Sequence, residues 1–368
     1  SFMLINNAAM LYDKGKIDSM LIVAPKGVYR NWYKSELPKH MPEHITYSMA
    51  AWSPTPRKAE KLEMDAMLND MDNMRILVMN VEAFSTEKGL AFARTFLRVT
   101  TAFMSIDEST TIKNSKAKRT KGIIKVGKEA RYKRIATGSP VTKSPLDVYS
   151  QCEFLGPGYL NYNSYFAFQA RYAVLVERKM PTHTFKQIVG YRHLDELQKK
   201  LENFAFRVTK EECLDLPEMT YVDREIPLSS QQAKYYDKLR KQLLVQAAGE
   251  EISAVNAAVE MNKLLQISSG AVYSDTGEIV AFDCKNRLNE MLEIVEQASH
   301  KTLIFANFKH SIDIIREHLS KHKITNAAIS GDVSLNRRSE LIENFQRTPD
   351  PHVLVIQPQA ASHGITLH

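Results

Sequence analysis

Four short apolar runs, each ending in polar or small residues, constrain this chain more than any other feature. They are MLIVAP at 20–25, RILVMN at 75–80, AFMSID at 102–107 and KRIATGS at 133–139, with segments of helical periodicity between them. Continuous apolar runs of this length suit strands buried on both faces, the condition of a parallel sheet covered by helices on each side. Three further runs repeat the pattern, TLIFAN at 302–307, NAAISG at 326–331 and HVLVIQ at 352–357, separated by helical segments from Ser311 to His322 and from Leu335 to Arg347. The expected fold class is therefore α/β, with two tandem domains, each a mainly parallel sheet flanked by helices. Residues 145–230 differ: they carry aromatics (Tyr159, Tyr162, Tyr165, Phe166, Phe168, Tyr172) and little strand signal, so an insertion of helices and loops is expected there. This gives a first lobe over 1–145, a helical insertion and connection over 146–270, and a second lobe over 271–368. In open α/β sheets the ligand crevice lies beyond the carboxyl ends of the strands. Chemistry is thus expected at Pro25-Lys26-Gly27, Asn80, Asp107-Glu108 and Thr137-Gly138-Ser139.

Composition narrows the class. Hydrophobic residues make up 44% and charged residues 25% of 368, which excludes a disordered chain and allows a substantial core. Lys and Arg number 49 against 42 acids, a surplus of +7 that suits a polyanionic partner and equally a solvated surface. Cys152, Cys213 and Cys284 are far apart and form no C-x-x-C pair, which argues against a disulfide framework or a zinc site. The apolar runs fall short of the roughly 20 residues a membrane span needs, and no signal peptide opens the chain, so a cytoplasmic protein is expected.

Adjacent carboxylates at a strand end can divide the labour of nucleotide hydrolysis. Asp107 would reach Mg²⁺ through water, and Glu108 would orient or deprotonate the attacking water. Taken alone, such a pair serves equally as a helix cap or as surface charge. The residues that follow decide more. DESTTIKNSKAKRTK resembles motif II of helicase superfamily 2 with the Swi/Snf-type continuation DEAH-x-IKN-x-x-S/A-K. It departs at Thr110, where the family has histidine or aspartate, which puts the usual link from that side chain to the next motif in doubt. IATGSPVTKSPLDVYSQCEFLGPG resembles motif III, LTGTP-x-x-N-x-x-x-DLWSLLNFL-x-PG. Weaker matches follow in order: LIVAPKGVYRNWYKSE to motif Ia, VMNVEAF to motif Ib, TLIFANFKHSIDII to motif IV, SGDVSLNRRSELIENFQ to the block holding Arg338 and Phe345, and VIQPQAASHGITL to motif V.

The resemblance to Swi/Snf-type translocases covers nearly the whole chain. It implies two RecA-like lobes, ATP and Mg²⁺ as substrate and cofactor, and Asp107 and Glu108 as the catalytic pair. Thr137, Gly138 and Ser139 would couple nucleotide state to movement. Contacts to nucleic acid would come from Pro25, Lys26, Arg30, Asn80, Glu82, Asn307, Phe308, Lys309, Gln357 and His363, with Gly364 near ATP. DNA, duplex or branched, is the implied partner ahead of RNA. The style of the motifs is that of small phage-encoded members, acting in the host cytoplasm.

A P-loop needs G-x-x-x-x-G-K-[ST], and no such string occurs among these residues. Ser1 is read either as the terminal Ser of a Gly-Lys-Ser, and then as an Mg²⁺ neighbour, or as a cloning remnant ahead of Met3. Motif VI is likewise missing, so these residues alone are expected to hydrolyse ATP poorly. Two alternatives to translocation stand: a strand-separating or branch-migration helicase, and a nucleic-acid-binding scaffold with a lost ATPase, against which the intact Asp107-Glu108 pair speaks.

Overall fold

A computed structural model describes residues 1–180, 183–215, 219–249, 254–274 and 277–361. The chain forms two compact units, Ser1–Leu216 and Pro217–His368. The first holds a five-stranded sheet of β1 (Ser19–Ala24), β2 (Tyr47–Ala51), β3 (Met74–Asn80), β4 (Ala102–Asp107) and β5 (Tyr132–Ala136). Its order is β2-β3-β1-β4-β5, and every neighbouring pair is parallel.

Because successive side chains point to opposite faces, each central strand feeds two cores. Leu21, Val23, Leu77, Met79, Met104 and Ile106 pack with the helices Lys58–Asn69, Glu87–Val99 and Lys118–Gly127. Met20, Ile22, Ile76, Val78 and Phe103 pack on the other face with helix Phe2–Asp13 and Trp32. Burying each of these large side chains stabilises the fold by roughly 1.5–3 kcal/mol. The run at 133–139 ends as a strand at Ala136, so Thr137, Gly138 and Ser139 leave the sheet. β5 is an edge strand and only half buried, unlike β1, β3 and β4. β2, also at an edge and half exposed, carries too weak an apolar pattern to stand out in the sequence.

After β5 the chain builds the helices Val148–Leu155, Tyr165–Tyr172 and Leu194–Glu202 around Leu146, Tyr149, Phe168, Tyr172 and Leu197. Gly127 lets the first of these seat closely: a Cβ there would lie 2.6 Å from the Phe154 ring. The expectation of helices and loops alone is corrected by an antiparallel hairpin, β6 (Ala173–Lys179) with β7 (Thr184–Tyr191). Its apolar residues are mixed with charges and mostly exposed, so no buried-strand run marks it.

The second unit contains the helices Ser230–Gly249 and Ala254–Ser268 and a short hairpin, β8 (Ala271–Tyr273) with β9 (Ile279–Ala281). A parallel sheet follows, built from β10 (Thr302–Phe305), β11 (Asn326–Ile329) and β12 (Val353–Ile356) in the order β10-β12-β11. Val353 and Val355 meet Leu292, Ile312 and Leu319 on one face, while Leu354 and Ile356 meet Ile329 and Phe345 on the other. The two expected α/β domains with parallel sheets are thus present, and helix Leu335–Arg347 has the bounds read from the sequence. Among the described residues no helix is long and apolar enough to cross a membrane.

Candidate functional site

Strand register brings the sequence-predicted residues of the first unit to one level. Ala24 of β1 pairs with Asn80 of β3, Val23 with Ile106 of β4, and Asp107 with Ala136 of β5. Asn80, Pro25, Asp107 and Thr137 therefore emerge in a row at the carboxyl edge of the sheet.

Asp107 is the best held of them. Its Oδ2 accepts from the Trp32 indole Nε1 at 2.8 Å, and its Oδ1 accepts from the Glu108 amide at 3.1 Å. Trp32 is fully buried and opens a π-helical turn, Trp32–Glu36, a distortion that recurs at functional sites. Each carboxylate oxygen keeps a lone pair beyond its single protein donor. Glu108 sits in the left-handed region, φ 51° and ψ 59°, a conformation that costs a non-glycine residue about 1–3 kcal/mol. The Thr137 hydroxyl approaches Glu108 Oε2 at 3.5 Å. Thr137 Oγ1 also accepts from the Ser139 amide at 3.2 Å.

The loop from Thr137 to Asp147 is closed by Asp147, whose Oδ2 accepts from the amides of Thr142 and Lys143 at 3.1 and 3.0 Å and from the Thr142 hydroxyl at 2.9 Å. Burial pushes the Asp147 carboxyl up, but these donors together hold it below the usual aspartate range. Lys113 donates to the Thr142 hydroxyl and lies 4.0 Å from Asp147. Ser109 Oγ donates to Gln151 Oε1 at 2.7 Å, and the Ser150 hydroxyl donates to the Lys113 carbonyl at 3.3 Å. Motifs II and III therefore meet through Ser109, Lys113 and Gln151, to which the motif comparison assigned no role.

The sequence-predicted contacts to nucleic acid are mixed. Lys26 is exposed. Arg30 is exposed, donates to the Tyr29 hydroxyl at 3.1 Å and lies 3.5 Å from Glu60. Asn80 donates to Glu82 at 3.0 Å, so these two are paired with each other. Pro25 is buried, its carbonyl turning the chain by accepting from Val28 and Tyr29. Ser1 is exposed at the start of helix Phe2–Asp13.

In the second unit Gln357, at the end of β12, donates to the Asn307 carbonyl at 3.2 Å and accepts from the Gly331 amide at 3.1 Å. It ties the tips of all three strands together. Arg338 donates to the carbonyls of Val333, Ser330 and Ala360 at 2.9, 3.0 and 2.7 Å. Phe308 stacks on the buried His310 ring, with centroids 5.4 Å apart. Lys309 is paired with Asp332, at 2.7 Å to Oδ1 and 2.6 Å to Oδ2. His363 and Gly364 lie outside the described residues.

Residues 2–272 match the model of the SNF2-related domain, and residues 285–368 match the helicase conserved C-terminal domain. The uncharacterized ATP-dependent helicase MG018 of Mycoplasma genitalium is 24% identical over 351 residues, covering 94% of this chain and 31% of that protein. The mouse DNA annealing helicase and endonuclease ZRANB3 is 24% identical over 359 residues, covering 94% of this chain and 30% of its own length. Protein p41 of Acyrthosiphon pisum secondary endosymbiont phage 1 is 24% identical over 268 residues, covering 71% of this chain and 55% of that protein. The chain spans about a third of the length of the first two.

Proposed function

The chain belongs to the SNF2-related family and carries the helicase C-terminal domain, and from that premise we propose that it is the motor core of a DNA-dependent ATPase that translocates on DNA. The observation that carries this reading is the row of strand tips in which Asp107 is fixed by Trp32 and Glu108 stands beside Thr137.

Trp32 and the Glu108 amide hold the Asp107 carboxylate in one orientation while leaving lone pairs for a metal-bound water, so the donor set fits Mg²⁺. When bound, Mg²⁺ supplies neutralising charge on the phosphate oxygens. Glu108 takes the attacking water's proton or orients its lone pair, and Thr137 is one group through which the loop it opens reaches Glu108. Lys26 and Arg30 in the first unit, and Lys309 in the second, meet phosphates of DNA; Asn80 and Glu82 are further contacts of the first unit, Asn307, Phe308 and Gln357 of the second, and His363, outside the described residues, keeps its sequence-based assignment to DNA. Gly364, outside the described residues, keeps its motif-based assignment to ATP. The functional division at 145 and 270 belongs to this proposal, as does work in the cytoplasm.

These residues hold no string able to cradle a triphosphate, so the same reading has them hydrolyse ATP poorly by themselves. The test is ATP turnover by the natural protein with no polymer, single-stranded DNA, duplex DNA and RNA. Stimulation by DNA well above RNA is expected, and equal rates in all four overturn the reading.

A further inference from the structure

Ser109 and Gln151 are polar side chains inside the first unit, 0% and 1% exposed. Besides accepting from Ser109, Gln151 donates from Nε2 to the Pro140 carbonyl at 2.8 Å and to the Asp147 carbonyl at 2.9 Å. Its carbonyl oxygen and its amide nitrogen are thus both engaged, as a buried amide requires. One side chain ties the residue next to Glu108 to both ends of the loop Pro140–Asp147.

Both positions depart from the motifs the chain resembles, which have alanine where Ser109 stands and leucine where Gln151 stands. Thr110, where those motifs have histidine or aspartate, makes no side-chain hydrogen bond to motif III among the described residues. A buried polar pair costs desolvation on both sides and persists only when both members are present. Ser109 directly follows Glu108, whose backbone is held left-handed at φ 51°.

We propose that Gln151 is a positioning residue for hydrolysis, which passes the state of the Pro140–Asp147 loop to Glu108 through Ser109 and so replaces a link from position 110. Movement of the loop shifts the Pro140 and Asp147 carbonyls, the amide follows them, and its oxygen carries Ser109 and the Glu108 backbone. The inference rests on the reading of Asp107 and Glu108 as a DNA-stimulated hydrolytic pair.

The test is a double-mutant cycle in the natural protein: Ser109→Ala, Gln151→Leu, and both together, read as the ratio of DNA-stimulated to basal ATP turnover, with melting temperature measured alongside. Gln151→Leu is expected to lower the ratio on the order of tenfold, as fits the loss of one buried partner. Ser109→Ala lowers it in the same direction. The double variant is no worse than Gln151→Leu, because the two act as one unit. Ser109→Ala removes a single oxygen, so it reports even where Gln151→Leu fails to fold. Ratios at the wild-type level in the folded variants overturn the proposal, and so do losses that multiply in the double variant. A wild-type protein with no DNA stimulation sinks the functional reading instead, which separates the two failures.

Discussion

The two sheets present opposite chemistry at matching edges. In the first unit the tip of β4 carries two carboxylates, and side chains from elsewhere meet them: Trp32 on Asp107, Thr137 near Glu108. In the second unit the tips are joined by a neutral amide, Gln357, and by the Arg338 guanidinium clamping backbone carbonyls. One edge leaves carboxylate lone pairs without a protein donor, whereas the other uses its polar groups to lock its own loops. An edge built like the first suits a changing charge, and one built like the second suits rigid contact to a polymer.

Glu108→Gln bears hardest on this contrast. Turnover in the natural protein should fall about a hundredfold, in the range of lost acid-base catalysis, with ATP binding unchanged by fluorescence titration. Retained turnover would remove Glu108 from the chemistry and with it the difference between the edges. Trp32→Phe should lower turnover about tenfold, because Asp107 loses its indole donor while most of the buried ring area remains. Here melting temperature is the control, and a fall in stability with unaltered turnover would make Trp32 a packing residue only.

In the second unit Arg338→Met should destabilise by about 2 kcal/mol, since a charged donor to several carbonyls is lost. Faster amide exchange confined to residues around 330–333 is the expected signature, and unchanged exchange would mean that Arg338 locks nothing.

Lys26→Ala with Lys309→Ala tests polymer contact at both edges. Loss of two phosphate contacts lowers the salt slope of DNA binding by nearly 2. The Asp332 partner of Lys309 already competes for that charge, so a reduction nearer 1 is expected, and Asp332→Ala should steepen the slope. An unchanged affinity and slope in the double variant would rule out the path.

The smallest effect concerns acid. The Asp147 carboxyl titrates below its ordinary value, so its contribution to the motif III loop is complete above about pH 4 and fades as pH falls through its lower folded value. Asp147→Asn should flatten that acid limb in thermal melts between pH 5 and 2. An identical limb in both proteins would show that the loop does not depend on this charge.

Much of the fold is legible in the sequence because a buried parallel strand writes itself as a continuous apolar run. That is why β1, β3, β4 and β12 stand out, all of them fully buried apart from the tip at Asp107. β2 and the β6–β7 hairpin face solvent in part, so no such run forms, and pairing with neighbours holds them instead. Asp107, Glu108 and Thr137 were legible because their motif is local.

What the sequence by itself determined is therefore the strands of the two parallel sheets other than β2, the residues at their tips and the family. Only tertiary structure decided which tip residues meet. Trp32 and Asp107 are 75 residues apart, Ser109 and Gln151 are 42 apart, and Asn307 and Gln357 are 50 apart. Those pairings follow from sheet order, which sets β4 between β1 and β5 and β12 between β10 and β11. Local pattern records whether a residue is buried, but a hydrogen bond of a few ångströms depends on which distant strand the fold lays next to it.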